Sequence, residues 1–268
     1  MGNVTDQWAA GSTYEGFMGR WSRRVAPKFV SWLQVPAGVH WLDVGCGTGA
    51  LTDVICKMAD PASVVGCDPS EPFVQYAREH HSHERSSFVI AGAGALPTRP
   101  GGFESVTSLL ALNFFAQPES AIEEMSHIAG SGATVSACVW DYAGRMGFLR
   151  YFWDVAVSVD PSVRELDEGN RFPICRRAAL DELFRNAQLR DVCCEPIEIT
   201  TEFASFSEYW EPFLGGSGPA PSYVASLEDE RRTALASELE RAVPSRPDGT
   251  IALIARAWAV RGSNRHAV

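Results

Sequence analysis

The sequence lacks any run of apolar residues long enough to cross a membrane as a helix, and residues 1–10 contain neither a basic start nor an apolar stretch. We therefore expect no membrane-spanning segment, no signal peptide and a cytoplasmic location. The sequence also shows no run of basic residues. The 33 Asp and Glu outnumber the 23 Lys and Arg and give a net charge of −10. Because nucleic-acid binding relies on Lys and Arg at the phosphates, this charge argues against a nucleic-acid partner.

The seven cysteines show no paired spacing of the zinc-finger type. They are odd in number and mostly lie in apolar stretches, which predicts reduced, buried thiols. The histidines at 80, 81 and 83 have no Cys or carboxylate spacing that would support a metal site beside them. We predict no bound metal, and a chain of 268 residues can bury a sizeable core without a metal or a disulfide.

Short apolar runs alternate with helical patterns from residue 40 onward. The runs that predict strands lie at residues 40–45, 63–68, 87–91, 105–110 and 133–140. They are nearly continuous rather than alternating, which is typical of parallel strands covered by helices on both faces. Because such strands are joined by right-handed crossovers, the pattern predicts a doubly wound α/β sheet.

The intervening segments predict helices, the first from Ala50 to Met58 and a later one from Pro118 that Gly130 would end. Beyond Asp141 the pattern loosens, and residues 142–172 are aromatic-rich without a clear period. We therefore expect that segment to be irregular. Two further strands are predicted at 190–200 and at 250–260, near the end of the sequence.

A glycine loop, Leu42-Asp43-Val44-Gly45-Cys46-Gly47-Thr48-Gly49, lies between the first predicted strand and the first helix. Its glycines permit positive φ angles and close approach of a ligand to the backbone. Exposed amides at the helix start would suit a carboxylate or a phosphate. Asp68 ends the next strand about 20 residues on, the distance at which an acid reaches a ribose hydroxyl. These features also fit the looser dinucleotide-binding pattern G-x-G-x-x-G/A, with Ala50 as its last position. An NAD-type oxidoreductase therefore stays open as an alternative function.

Four observations favour a different nucleoside cofactor. Asp43 stands two positions before Gly45, where it can anchor an ammonium group, and Gly49 adds a third glycine at alternate spacing. The remainder of the sequence does not repeat a nucleotide-binding half. No Tyr-x-x-x-Lys set for hydride transfer is present either.

These motifs resemble the class I S-adenosylmethionine-dependent methyltransferases, and most of all a bacterial small-molecule subgroup similar to the ubiquinone and menaquinone biosynthesis methyltransferases. The segments that carry the resemblance lie at 14–21, 43–49, 66–70, 95–97, 103–106 and 123–125. The resemblance implies one Rossmann-like methyltransferase domain over residues 1–268. Its sheet would have seven mostly parallel strands with an antiparallel last strand. Helical cap or lid elements would come from residues 1–38, 142–172 and 203–246.

The resemblance also implies S-adenosyl-L-methionine as cofactor. The three glycines would enclose its methionine portion, with Asp43 near the amino group and Arg20 near the carboxylate. Asp68 would bind both ribose hydroxyls, Leu96 would pack on the adenine, and Leu112 would lie beside the sulfonium. The complete set of expected cofactor-binding residues is Arg20, Asp43, Gly45, Cys46, Gly47, Thr48, Gly49, Asp68, Pro69, Ala93, Leu96, Leu112 and Asn113.

The implied activity is methyl transfer by in-line displacement to an oxygen, nitrogen or carbon atom of a small-molecule acceptor, by a monomer or a homodimer. The sequence departs from the family at Gly92, where an acid often binds the adenine amino group, and at Asn113, where a His is frequent. No general base is therefore assigned. The candidates for the acceptor pocket are Asn113, Trp140, Tyr151, Tyr209 and Trp210. A protein that binds the cofactor without transferring methyl, as a cyclase or a sensor, is the alternative.

Overall fold

The computed structural model describes residues 19–215 and 218–264. The chain divides into two compact units, which we call the sheet unit and the helical unit. Within the described residues, the sheet unit contains 22–140, 174–197 and 257–264. The helical unit contains 19–21, 141–173, 198–215 and 218–256. The single domain expected over 1–268, with its cap segments, stays a prediction.

Ten α-helices and seven strands form in the described residues. The helices are α1 (Arg20–Leu33), α2 (Ala50–Met58), α3 (Glu71–His80), α4 (Pro118–Ile128), α5 (Gly147–Val159), α6 (Glu168–Arg171), α7 (Arg177–Asn186), α8 (Phe206–Trp210), α9 (Pro219–Ser226) and α10 (Asp229–Ala242). The strands are β1 (His40–Val44), β2 (Ser63–Asp68), β3 (Ser86–Ile90), β4 (Phe103–Leu109), β5 (Ala129–Trp140), β6 (Arg190–Phe203) and β7 (Ile251–Ser263). Among these helices, none has both the length and the apolar character needed to span a bilayer.

The seven strands form one sheet in the order β3-β2-β1-β4-β5-β7-β6. Strands β1 to β5 pair in parallel, whereas β7 runs antiparallel to β5, with Trp140 opposite Ala257. Buried side chains of β1 such as Trp41 and Leu42 explain its continuous apolar pattern, because β1 lies inside the sheet with a neighbour on each side. The predicted doubly wound, seven-stranded sheet is confirmed.

The strand order reverses between β1 and β4, the two strands at the centre of the parallel part. At such a position, the connections that follow the two strands run to opposite sides of the sheet. A crevice therefore opens beyond the carboxyl ends of the two strands. The glycine loop after β1 and the turn after β4 both begin at this edge of the sheet. The topology therefore predicts the ligand site at these two segments.

Strand β5 begins four residues earlier than predicted, at Ala129, directly after α4 ends at Ile128. Gly130 had been interpreted as the residue that stops the helix. Its backbone instead passes close to Gly102, where an added Cβ would lie 2.5 Å from the Gly130 nitrogen. The glycine therefore serves a close contact between two backbones, and the predicted strand start at 133 is wrong.

The prediction that residues 142–172 are irregular is also wrong, since they contain the helices α5 and α6. Apolar residues on α5 recur at helical spacing, and Phe148 and Phe152 both stack on Phe213, with ring centroids 4.7 and 4.5 Å apart. Because so many side chains of this segment are aromatic, its helical period is difficult to recognise in the sequence. They build the core of the helical unit.

A buried carboxyl group lies in the helical unit at Glu168, the first residue of α6. It accepts a hydrogen bond from Nε1 of Trp153 on α5. Burial raises the pKa of Glu168 to about 7, although the Trp153 hydrogen bond acts in the opposite direction. The carboxyl group therefore changes its charge near neutral pH.

Because this pKa is raised in the folded state, Glu168 contributes stability below about pH 4.5 that is lost as the pH rises through about 7. We expect Glu168→Gln to reduce the loss of unfolding free energy between pH 5 and pH 8 by about 2 to 3 kcal/mol. Urea unfolding at the two pH values measures the difference. An equal loss in the wild type and the variant would contradict this role of Glu168.

Candidate functional site

The glycine loop after β1 has three residues with left-handed backbones, Gly45, Gly47 and Gly49, at φ angles of 72, 52 and 89°. At Gly45 an added Cβ would lie 2.6 Å from the Cβ of Ala111, and at Gly49 it would lie 3.1 Å from the Cβ of Ala77. At Gly47 no described atom lies within 4 Å of that position. Gly45 and Gly49 are thus required for packing within the protein, whereas Gly47 borders open space in which a ligand can approach the backbone.

Four amide donors of the loop already bind acceptors within the protein. Gly45 N and Cys46 N donate to Cys67 O at 2.8 and 3.0 Å, Gly47 N donates to Asp68 Oδ2 at 3.0 Å, and Gly49 N donates to Cys46 O at 2.9 Å. These four amides are used within the protein, whereas the expectation that amides at the start of α2 suit a carboxylate or a phosphate stays a prediction. The bonds from Gly45, Cys46 and Gly47 hold the loop against the end of β2, and the bond from Gly49 closes the loop on itself.

Asp68, the last residue of β2, is buried, and both of its carboxylate oxygens accept backbone hydrogen bonds. Oδ1 accepts from Ser70 N at 2.8 Å, and Oδ2 accepts from Gly47 N at 3.0 Å. Burial raises the pKa of Asp68, and the two backbone hydrogen bonds partly offset the rise. Each carboxylate oxygen can accept a second hydrogen bond, so the group is fixed in orientation and still able to bind hydroxyl donors.

Asp43 is completely buried in β1. Its Oδ2 accepts a hydrogen bond from Thr52 Oγ1 at 2.8 Å, whereas its Oδ1 finds no partner in the described part of the chain. Burial raises its pKa to about 7, with a further contribution from the negative charge of Asp68 and an opposing one from Thr52. An unpaired carboxylate oxygen in this position is costly unless a cation or a donor reaches it. Sequence reasoning missed Thr52, which stands nine positions from its partner.

The chain turns sharply after β4 at Leu110, a buried residue with a left-handed φ of 58°. Such a backbone costs about 1 to 2 kcal/mol for a residue other than glycine, and strain of this kind clusters at functional sites. The turn places Ala111 against Gly45 and leads into the single turn Leu112–Phe114. Asn113 is buried there, and its Nδ2 has no hydrogen-bond partner among residues 19–215 and 218–264.

The remaining predicted site residues of the sheet unit differ in exposure. The Cys46 side chain is buried in a cluster with Val74, Ala77 and Phe88, so it faces the core. Burial raises the pKa of its thiol well above the ordinary value, which makes it unreactive. The buried side chains are those of Thr48, Leu96, Leu112 and Trp140, whereas Ala93 is half-buried and Pro69 is exposed.

Arg20 belongs to the helical unit, where its guanidinium lies 4.3 Å from the ring centre of Trp21 and 5.0 Å from that of Phe203. Its Nη1 is 3.4 Å from Oε1 of Glu208. Nε and Nη2 are buried and have no partner within the described ranges. These two donors would suit an anionic oxygen, and the proposed contact with the cofactor carboxylate stays a prediction. Residues 14–18 of the matching segment lie outside the described residues.

The acceptor-pocket candidates of the helical unit have different surroundings. Tyr209 is completely buried, and its hydroxyl donates to the Phe148 carbonyl oxygen at 2.8 Å. These contacts favour a role in the aromatic core. Tyr151 and Trp210 are half-buried, and Trp210 stacks on Phe206. Acceptor binding by these three residues stays a prediction.

The glycine loop and the carboxylates at its edge lie in a segment that is similar to known proteins. Residues 42–136 match the family model described as a methyltransferase domain. This match covers about a third of the chain, which is similar to a methyltransferase domain over that segment. The matched segment includes Asp43, the glycine loop, Asp68 and Asn113, which the strand order brings to the same edge of the sheet.

Curated relatives match this chain over about a hundred residues. Juvenile hormone acid O-methyltransferase of Bombyx mori is 33% identical over 106 residues, which are 38% of this chain and 37% of that protein. Ubiquinone biosynthesis O-methyltransferase of Methylococcus capsulatus is 31% identical over 102 residues, 37% of this chain and 42% of that protein. The chain spans less than half the length of these relatives.

Solved structures share the fold of this chain at low sequence identity. Haemonchus contortus phosphoethanolamine N-methyltransferase 2 in complex with S-adenosyl-L-methionine has a TM-score of 0.59 and 12% identity, covering 95% of this chain and 56% of that chain. The [4+2]-cyclase SpnF has a TM-score of 0.52 and 18% identity, covering 91% of this chain and 81% of that chain. The fold is therefore shared with a protein named for methyl transfer and with one named for another reaction.

Proposed function

We propose that this protein transfers a methyl group from S-adenosyl-L-methionine to a small-molecule acceptor by in-line displacement. The observation that carries the proposal is the pair of buried carboxylates, Asp43 and Asp68, beside a glycine loop whose amides are largely bound within the protein. The cofactor has no phosphate, and two of its three charged groups, the ammonium and the sulfonium, are cations. These two cations complement the carboxyl groups of this site.

The chain's residues fit the cofactor in three places. Asp43 Oδ1 lacks a partner among the described residues, so it can accept from the ammonium group. Asp68 is held by two backbone amides with acceptor capacity left for the ribose hydroxyls. Gly47 leaves room beside the loop for the methionine portion. The roles of Arg20 and Leu96 are part of the same proposal and rest on the family resemblance.

The bound cofactor supplies an already activated methyl group. The protein's own contribution is then to align the two reactants and to exclude water. A base is needed only where the acceptor must lose a proton. We assign no general base, and we propose Leu112 and Asn113 beside the reacting atoms because they follow β4 at the edge where the strand order reverses.

The geometry argues against a dinucleotide cofactor. A pyrophosphate at this position would need free amide donors, and four donors of the loop are already bound to Cys67, Asp68 and Cys46. It would also bring negative charge toward the buried carboxyl group of Asp43. An NAD-type oxidoreductase is therefore disfavoured.

We further propose a cytoplasmic protein that acts as a monomer or a homodimer and binds neither nucleic acid nor membranes. The net charge of −10 supports the first exclusion, because phosphate-rich partners are repelled.

Asp43 makes cofactor affinity depend on pH. Because its pKa is raised to about 7, a cationic ligand must displace a proton from it below that pH. We expect the affinity for S-adenosylmethionine to rise by up to about tenfold per pH unit between pH 5.5 and 7, with proton release in titration calorimetry. Asp43→Asn should remove this dependence, whereas Asp53→Asn, which changes an aspartate of α2 paired with Lys57, should preserve it. A wild-type affinity that does not change with pH would contradict the role of Asp43.

Methyl transfer itself is tested with S-adenosylmethionine that carries a deuterated methyl group, incubated with the protein and an extract of small metabolites. Mass spectrometry should find S-adenosylhomocysteine together with a labelled small molecule. A cyclase or a sensor would bind the cofactor and leave it intact. Cofactor that stays intact while binding is demonstrated would therefore overturn the transferase proposal and favour that alternative.

A further inference from the structure

A buried hydrogen-bond donor without an acceptor lies in the turn that follows β4, one of the two strands between which the strand order reverses. Nδ2 of Asn113 is buried and has no acceptor in the residues that the structure describes. A buried amide without a partner costs about 1 to 3 kcal/mol, so a ligand atom that accepts its hydrogen bond gains affinity there. Asn113 is two residues from Ala111, which packs against Gly45 of the glycine loop.

The side-chain amide of Asn113 favours some chemical groups of the methyl acceptor over others. An amide N–H is complementary to an oxygen lone pair and repels a protonated amine. In an in-line displacement, a hydrogen bond to the attacking lone pair weakens the nucleophile. In an acceptor with a single oxygen, the hydrogen bond from Asn113 would fall on the same atom that attacks. A carboxylate separates the two, because one oxygen can take the hydrogen bond while the other attacks.

A carboxylate also needs no base. It is ionised at neutral pH, with an ordinary pKa of about 4, so no proton has to leave during transfer. Asn113 cannot take up a proton in this range. Asp43 and Asp68 of the sheet unit accept hydrogen bonds from Thr52, Ser70 and Gly47. We assign both carboxyl groups to the cofactor and not to the methyl acceptor.

We propose that Asn113 positions a carboxylate of the acceptor and that the product is a methyl ester. One carboxylate oxygen accepts the hydrogen bond from Nδ2, and the other oxygen attacks the methyl carbon. The carbon–sulfur bond breaks, its electron pair goes to the sulfur, and the positive charge of the sulfonium and the negative charge of the carboxylate are both neutralised. No proton is released. This inference rests on the proposed methyltransferase function.

Acetate is the smallest probe of such a site, and acetamide is its neutral match. We expect acetate to shift the side-chain amide resonances of Asn113 in a saturable manner in ¹⁵N-correlated NMR spectra of the protein loaded with S-adenosylhomocysteine. Acetamide should bind at least fivefold more weakly. Asn113→Ala identifies the resonances, and the exposed Asn186 reports non-specific effects. No shift with acetate, an equal shift with acetamide, or an equal shift at Asn186 would overturn the inference.

Two measurements keep this inference separate from the function on which it rests. Calorimetry with S-adenosylhomocysteine comes first, and wild-type protein that does not bind it contradicts the proposed function. Binding of S-adenosylhomocysteine with no response of Asn113 to acetate contradicts the carboxylate alone. If Asn113→Ala fails to fold, sequential assignment of the wild-type side chain allows the same comparison of acetate with acetamide.

Discussion

Replacing Gly47 with alanine is expected to weaken binding of S-adenosylhomocysteine at least tenfold. The residue has a left-handed φ of 52°, and its Cβ would project into the space beside the loop, where no described atom lies within 4 Å. The backbone strain costs about 1 to 2 kcal/mol of stability, which the sheet can tolerate. A methyl group placed where the methionine portion lies costs a further 1.4 kcal/mol or more in binding, about tenfold in affinity. Titration calorimetry measures the loss.

Gly38 provides a matched control in the same unit. It also has a left-handed φ, of 77°, with no described atom within 4 Å of an added Cβ, but it precedes β1 at the opposite end of the strand. Gly38→Ala should therefore lower stability by a similar amount and leave the affinity for S-adenosylhomocysteine unchanged. Equal affinities of the two variants would show that the loop does not contact the ligand.

Asp68→Asn is expected to weaken cofactor binding by about 30- to 100-fold. Hydrogen bonds to charged groups contribute about 1.5 to 3 kcal/mol each, and the carbonyl oxygen of Asn can still accept from one ribose hydroxyl, so that about one such bond is lost. The new NH₂ group would also face an amide donor, that of Gly47 or Ser70, with which it cannot form a hydrogen bond. The glycine loop would then lose part of its attachment to β2. Calorimetry with S-adenosylhomocysteine and urea unfolding separate the two effects.

Asp248→Asn is the control for losing the hydrogen bond between an aspartate and the residue two positions further on. Oδ1 of Asp248 accepts from Thr250 N at 3.0 Å, as Oδ1 of Asp68 accepts from Ser70 N, and it also accepts from Thr250 Oγ1 at 2.7 Å. The variant should change stability modestly and leave cofactor affinity unaltered. A reduction in affinity as large as that of Asp68→Asn would assign the effect to general destabilisation of the protein.

Much of the parallel sheet could be predicted because its causes are local in sequence. A strand buried on both faces has to be apolar along its whole length, and β1 and β2 are short runs of this kind before a turn. The predicted helix from Ala50 to Met58 is confirmed with both of its ends. The glycine loop could be located for the same reason, since a tight turn between strand and helix limits which residues fit.

The state of the loop amides could not be predicted, because it depends on groups that come close only in the folded chain. Gly45 N and Cys46 N share the carbonyl oxygen of Cys67, more than twenty positions away. The Thr52 hydroxyl reaches Asp43 only once α2 packs over β1. Sequence patterns identify residue types and spacing, whereas hydrogen-bond partners at this separation depend on the register of the sheet.

Gly130 and the aromatic helix α5 show two further limits. Glycine after an amphipathic helix is typical of a helix end, but close approach of another backbone requires the same residue type, and here Gly102 is that neighbour. In α5 the apolar residues extend beyond one stripe, which weakens the helical period. Both errors arose where tertiary packing gave a residue a second reason to be present.

The central claim is that a sulfonium nucleoside binds at the glycine loop between β1 and α2. Calorimetry of the wild-type protein with S-adenosylmethionine and, separately, with NADH tests it most directly. We expect one S-adenosylmethionine bound per chain, with affinity lost in Gly47→Ala, and no saturable heat with NADH. Saturable binding of NADH that depends on Gly47, with none of S-adenosylmethionine, would contradict it.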